Sequence, residues 1–456
     1  MKTSINEFLS QFQGKKILVL GLGIQGGGVG VVRFFVKHGA KVTVYDDKDE
    51  NTLATSIRSL ANLENVEYLL SGRKPNDISS YEFVIKGPSF RWNHEIVLEA
   101  QKKQIKVHME AALFMKYAPC KVVGITGTRG KSTTTMMVYR VLSEYYKKGK
   151  VLLAGNLPGS STIELLDMVS ETDITVLELS SWQLSGLHRL KCSPEYSVVT
   201  GIFEDHLNYY SSMRDYIYDK CAVYAYQKDN DHLVIADRFA IDFFEIVKPT
   251  CKNVYKVSDK LFLSSLVHLR GLHNMLNASL AKKVCEAILQ NVNEIDIEKV
   301  ISLSKNMPSR QEIVGQFDNV EVINDSASTT PIACIAALNT FHDKDLVLIL
   351  GGNSKNLSYE DLLTSISSKS SNIKAIFLLT GSFTDEIITK LKELKEIQIF
   401  VPYPKLQETV KNALEFCKSM GKPVYLLFSP GATSFAQFKN EFDRGEKFVE
   451  SVRQYI

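Results

Sequence analysis

The 456-residue chain has almost no excess of charge: 54 basic side chains against 51 acidic ones leave a formal +3. So small a surplus gives no argument for nucleic acid or a membrane surface as a partner, although a local basic site for an anion stays open. No apolar run approaches the ~20 residues that a membrane-spanning helix needs. The opening stretch MKTSINEFLSQFQGKK is too polar for a secretory leader, so a cytoplasmic protein is expected. Cys120, Cys192, Cys221, Cys251, Cys285, Cys334 and Cys417 are odd in number, scattered, and without a Cys-x-x-Cys pair. That spacing speaks against a disulfide framework or a thiolate zinc site and for reduced, buried thiols. There is no internal repeat and no low-complexity tract.

What the chain does have is a series of short apolar runs, many of which close on Gly, Ser, Thr or Asp. KKILVLGLG, KVTVYDD, FVIKGPS, KVVGITG, DITVLELS, YSVVTGI, HLVIAD, VEVIND, LVLILGG, IKAIFLL and PVYLLFSP read as buried strands that end in functional loops. Longer amphipathic stretches separate many of them. Alternating strands and helices predict an α/β fold with mainly parallel sheets, whose ligands sit beyond the carboxyl ends of the strands. At about 150 residues per domain the length suggests roughly three domains. The strand sets divide at 1–117, 118–306 and 307–456.

The strongest local signal is Gly124-Ile-Thr-Gly127-Thr128-Arg129-Gly130-Lys131-Ser132-Thr133, which follows a strand and leads into a helix-compatible stretch. Glycines let backbone N–H groups approach a polyphosphate, and a helix N-terminus adds partial positive charge. Lys131 would reach the β- and γ-phosphates, and the Ser132 hydroxyl would join a Mg²⁺ shell. Ile125 occupies the first glycine slot of the strict Gly-x4-Gly-Lys form. The bland alternative is a Gly-rich turn with a chance lysine. The loop alone does not separate kinase, GTPase and ligase.

A second glycine turn, Gly21-Leu22-Gly23-Ile24-Gln25-Gly26, follows KKILVL, and Asp46 and Asp47 end the next strand. By itself this is a dinucleotide fingerprint, and it keeps an NAD(P)-dependent oxidoreductase as a distant alternative. Glu178 closes the run ITVLEL, where a carboxylate facing a phosphate loop suits Mg²⁺, a hard cation that prefers oxygen. The alternative is a solvated strand end.

Taken in order, these stretches resemble the Mur ligase family. The loop from Thr126 to Thr133 resembles its ATP loop. Gly155-Asn156-Leu-Pro-Gly resembles its Gly-Asn-x-Gly turn, Glu178-Leu-Ser-Ser-Trp-Gln-Leu its Glu-Leu-Ser-Ser-Phe-Gln-Leu strand end, and Asp205-His206-Leu207 its Asp-His-Leu motif. Gly271-Leu-His273-Asn274-Met-Leu-Asn277, Arg310, Asn324-Asp325-Ser326, Gly351-Gly-Asn-Ser-Lys355 and the run from Ser429 to Asn440 complete a series that spans nearly the whole chain. The likeness is nearest to the D-glutamate-adding members. It implies a Rossmann-like first domain for a UDP-sugar, a P-loop ATPase centre with a mainly parallel sheet, and a Rossmann-like third domain for glutamate. The implied reaction is ATP-dependent formation of an amide between UDP-N-acetylmuramoyl-L-alanine and D-glutamate through an acyl phosphate, in peptidoglycan precursor synthesis. A monomer with no nucleic-acid partner and no membrane insertion is expected.

The resemblance also distributes roles. Lys131, Glu178, His206, Lys220 and Lys355 would serve the chemistry. Ser132, Glu178, His206 and a carbamylated Lys220 would hold Mg²⁺, two ions in all. Asn274, Asn277 and Arg310 would contact adenine and phosphates, and Asp325 the ribose. The first turn with Asp46, Asp47 and Lys48 would cradle uridine, and Lys86-Gly-Pro-Ser89 would line the diphosphate path. Asn156 would lie near the reacting carboxylate. Thr329, Lys355, Ser434 and Phe435 would hold glutamate. Two positions depart from the family pattern: Ala327 stands where those enzymes carry lysine, and Glu441 where they carry an aromatic residue. Both fall on the amino-acid side. Ser328-Thr329-Thr330-Pro331 is similar to the motif of a relative that adds L-glutamate, so L-glutamate remains an alternative.

Overall fold

A computed structural model describes residues 5–23, 26–157, 161–206, 209–262, 271–304, 308–434 and 437–455. Ile24, Gln25, Leu207 and Phe435, all singled out above, lie outside the described residues. The chain forms two compact units, Met1–Ser264 with Leu276–Ile301, and Ser265–Met275 with Ser302–Ile456.

The first unit holds two sheets. One contains β1 (Lys16–Leu20), β2 (Lys41–Tyr45), β3 (Val66–Leu69), β4 (Phe83–Lys86) and β5 (Lys106–His108) in the order β3-β2-β1-β4-β5. Every pairing in it is parallel. The other contains β6 (Lys121–Thr126), β7 (Val151–Gly155), β8 (Ile174–Glu178), β9 (Tyr196–Val199), β10 (His232–Ala236) and β11 (Asn253–Val257), in the order β11-β10-β9-β6-β8-β7. It too is wholly parallel. The second unit carries β12 (Glu312–Phe317), β13 (Val320–Asn324), β14 (Asp345–Gly351), β15 (Ile373–Leu379), β16 (Gln398–Tyr403) and β17 (Val424–Phe428), in the order β12-β13-β17-β14-β15-β16. β12 runs antiparallel to β13, and the other strands of this sheet pair in parallel. A sheet covered by helices on both faces buries both sets of side chains, which is why the central strands read as unbroken apolar runs.

Each sheet places its Gly-, Ser- and Asp-rich loops at the carboxyl ends of its central strands. β1 opens into the helix Gly27–Lys37 and β6 into the helix Lys131–Tyr145. β8 ends at Glu178, and the following helix Ser181–Leu190 starts sharply because Ser180 and Gln183 form a capping box. Pairing of Gly155 and Ile125 with Glu178 puts the ends of β7, β8 and β6 side by side. Among the described residues no helix is long and apolar enough to cross a membrane.

Candidate functional site

The turn after β6 is fixed by its neighbours on β8 and β9. The Thr126 hydroxyl donates to the Leu179 carbonyl at 2.8 Å, and the Thr128 N–H to the Gly201 carbonyl at 2.7 Å. Gly127 and Gly130 have φ of 144° and 84°. A Cβ on Gly127 would lie 2.0 Å from the Thr200 hydroxyl, and one on Gly130 2.3 Å from Asn277 Oδ1. Both therefore require glycine, and Asn277 is brought against the loop. Lys131 Nζ donates to the carbonyls of Gly127 and Thr128, each at 3.1 Å. Lys220, buried on the helix Met213–Cys221, donates to the same Gly127 carbonyl at 2.9 Å. Burial and then the nearby Lys131 hold the Lys220 amine well below the ordinary lysine range, while Asp205, Asp219 and Glu178 pull the other way.

Beside this turn, buried Glu178 accepts a hydrogen bond from Asn156 Nδ2 at 3.0 Å through Oε1. Its Oε2 is buried with no hydrogen-bond partner. His206 sits at φ 57°, with Asp205 Oδ2 3.8 Å from its Nε2 and the Trp182 ring 5.0 Å away.

The turn after β1 is furnished differently. Asp46, almost wholly buried, accepts from the N–H groups of Leu22 at 3.0 Å and Gly23 at 3.1 Å through one oxygen. Its other oxygen accepts from the Lys48 N–H at 3.0 Å. Asp47 accepts from the Tyr45 hydroxyl at 2.7 Å. Lys86 is buried, donates to the Phe90 carbonyl at 2.8 Å and lies 4.6 Å from the Trp92 ring centre. Burial pushes its amine down to about 7.

In the second unit, the loops after β13, β14 and β17 meet around Arg444. This fully buried guanidinium donates to Ser326 Oγ at 3.0 Å, to the Ser326 carbonyl at 2.7 Å and to the Ala432 carbonyl at 3.1 Å. A Cβ on Gly352 would lie 3.6 Å from it. Thr329, Asn353, Ser354, Lys355 and Ala432 line a small pocket there, with Lys355 Nζ 3.3 Å from the Thr329 hydroxyl. The hydroxyls of Ser328 and Ser434 are buried without a hydrogen-bond partner. Asp325 is occupied by protein: it accepts from the Gln311 N–H at 3.1 Å and from the Ser429 hydroxyl at 2.7 Å.

A profile for the Mur ligase middle domain matches residues 125–264, and one for the MurD-like N-terminal domain of Mur ligases matches residues 15–109. The UDP-N-acetylmuramoylalanine–D-glutamate ligase of Borreliella afzelii is 33% identical over 97% of this chain and 99% of its own length. The enzyme of the same name from Roseiflexus sp. is 31% identical over 98% of this chain and 100% of its own length. The chain belongs to the Mur ligase family. It is accordingly an ATP-dependent ligase that forms amide bonds. The fold agrees with solved relatives: the MurF ligase from Thermotoga maritima in complex with ADP superposes with a TM-score of 0.56 at 14% identity, over 98% of this chain and 96% of that one.

For this ligase, the residues assigned from sequence fall into three groups. Lys131, Ser132, Glu178, Lys220 and Asn277 converge on the β6 turn, and Asn156 joins them through Glu178. Gly21, Leu22, Gly23 and Asp46 form the β1 turn, but Asp46 spends both oxygens on backbone N–H groups. Thr329 and Lys355 line the small pocket of the second unit, to which Ser434, Asn274 and Arg310 also belong. Arg310 Nε is buried with no hydrogen-bond partner. Sequence reasoning did not single out Arg444. Nothing local marks an arginine on the amphipathic helix Glu441–Gln454 as buried; only the packing of distant loops does.

A magnesium ion fits the β6 turn on the evidence of its donors. Glu178 offers a buried carboxylate oxygen with no protein partner, and Ser132 a buried hydroxyl at the helix start; both are hard oxygen ligands. Among the described residues no group of three or more His, Cys, Asp and Glu side chains forms a metal cluster.

Proposed function

We propose that this chain joins D-glutamate to the L-alanyl carboxylate of UDP-N-acetylmuramoyl-L-alanine, using ATP and passing through an acyl phosphate. The observation that carries the reading is the convergence of Lys131, Lys220 and Glu178 on one glycine turn at the carboxyl edge of a parallel sheet. The names of the Borreliella and Roseiflexus relatives support the choice of substrates.

On this reading Lys131 leaves the loop carbonyls to pair with the β- and γ-phosphates, and the Gly127–Gly130 backbone bounds the phosphate chain. Its positive charge offsets negative charge that develops as the alanyl carboxylate takes the terminal phosphoryl group. Glu178 and Ser132 would hold magnesium, which would neutralise charge on the phosphate oxygens. Asn156, tied to Glu178, orients that carboxylate. Lys220, with His206, would complete a second magnesium site once carbamylated. The β1 turn binds the uridine end. Lys355, Thr329 and Ser434 receive the carboxylates of the incoming amino acid, whose amine then displaces phosphate. A nicotinamide oxidoreductase would leave the β6 turn and Glu178 without a role.

L-glutamate is kept as a second reading because Ala327 is buried, with its N–H on the Ser309 carbonyl at 2.8 Å, and supplies no charge where D-glutamate enzymes carry lysine. Phosphate release with ATP and UDP-N-acetylmuramoyl-L-alanine, compared between D- and L-glutamate, tests the reading. Release driven by the D enantiomer supports it. Release with the L enantiomer alone reverses the stereochemistry, and no release with either removes the proposal.

A further inference from the structure

A cavity of about 290 Å³ opens in the first unit, and none of the residues placed at the two glycine turns lines it. Phe8, Phe12, Phe83 and Tyr117 give it an aromatic wall, to which Lys106, His108 and Lys116 add basic groups. Phe8 and Tyr117 stack at 3.7 Å between centroids. Lys106 Nζ hangs 5.7 Å from the Phe83 ring centre, and Lys116 Nζ 5.5 Å from that of Tyr117. Both lysines are exposed, yet their ammonium groups reach over rings of the cavity wall.

His108 ends the edge strand β5, and its Nδ1 is buried with no hydrogen-bond partner. Burial, then Lys106 and Lys116, push this imidazole down to about 4, so it is neutral at physiological pH. A buried polar nitrogen without a partner costs stability unless something satisfies it. Two ammonium groups and that nitrogen thus border one apolar space, and among the described residues no acidic side chain lines it.

We propose that this cavity binds a small organic acid, a carboxylate carried on a single aromatic ring. The rings cover the apolar body, and the carboxylate takes charge-assisted hydrogen bonds from Lys106 and Lys116. The volume lies near the lower end of small-molecule pockets, about 300–1,000 Å³, which suits one ring rather than a nucleotide. A hydrated inorganic anion gains little here, because aromatic walls do not replace its water.

Calorimetric titration of the full chain with phenylacetate tests this. Saturable one-to-one binding is expected, weakened at least about tenfold in the Lys106→Ala/Lys116→Ala double variant and, likewise, when the neutral phenylacetamide replaces the acid. Both lysines are exposed, so the double variant keeps the fold. Absence of saturable binding, equal binding by the double variant, equal binding of the amide, or equal binding of inorganic phosphate would each overturn the proposal.

Discussion

After β1 the chain passes through Gly21 and Gly23, both at positive φ, into the helix Gly27–Lys37; after β6 it passes through Gly127 and Gly130 into the helix Lys131–Tyr145. The two turns share a topology, and each aims a helix N-terminus beyond its sheet. The side chains held at each turn differ. At the first, Asp46 takes the N–H groups of Leu22 and Gly23, and Glu110 Oε1 lies 4.0 Å from where a Gly27 Cβ would stand. At the second, Lys131 and Lys220 both donate to the Gly127 carbonyl. A protein carboxylate at the first turn already answers the amides that would otherwise draw a phosphate. Lys131 at the second leaves it suited to a polyphosphate. A glycine turn thus sets geometry, while the side chains that packing delivers to it set which ligand charge it favours.

The largest expected effect tests the second turn. Lys131→Ala should lower phosphate release about 10³-fold with the fold retained by circular dichroism, because one preorganised charge at a transferring phosphoryl group is worth that much. Turnover within tenfold of the parent would remove the contrast between the turns. Next, Glu178→Gln should cost about 10²-fold and raise the magnesium concentration needed for half-maximal rate, read from a metal titration. An unchanged magnesium requirement would mean that the unpartnered oxygen does not face metal.

Smaller effects are expected at the first turn. Asp46→Asn weakens the clamp on Leu22 and Gly23, and should raise KM for the UDP-sugar about tenfold while KM for ATP stays put. A matching rise in KM for ATP would show that the turns are not separate sites. The smallest effect concerns Glu110, whose carboxyl accepts from the Ser161 hydroxyl at 2.8 Å. Burial pushes it from 4.5 up to about 7. The folded chain therefore holds this proton more tightly than the unfolded chain does. As pH rises from 4.5 towards 7 the unfolded state loses its proton first, and stability falls; the loss is complete above about 7. Glu110→Gln should flatten that dependence by about 2 kcal/mol between pH 5 and pH 8 in thermal unfolding. An identical slope in parent and variant would refute the assignment.

The apolar runs that announce strands in the sequence are the interior strands of the three sheets. KILVL, ITVLE and VYLLF have neighbours on both edges and bury nearly every residue. The outermost strands are absent from those runs: β3 is VEYL, β5 KVH, β7 VLLAG, β11 NVYKV, β12 EIVGQF and β16 QIFVPY. An edge strand is part-solvated, so its pattern mixes polar and apolar residues and loses contrast with loops. The site divides in the same way. Lys131, Ser132 and Glu178 were legible because strand, turn and helix lie together in sequence. Arg444 and the capture of Asp46 by its own turn were not, because each depends on contacts between segments far apart in the chain.

The sequence by itself determined the α/β class, the two glycine turns and the family, since these rest on local periodicity, on residues that tolerate positive φ, and on ordered motifs. Tertiary structure alone decided that Lys220 joins Lys131 on one carbonyl, that Asp46 and Asp325 are committed to backbone and serine donors, and that basic groups border an aromatic cavity beside β5. The reason is that charge acts through space: a side chain's partner is fixed by how sheets and helices pack, and no window of neighbouring residues encodes that distance.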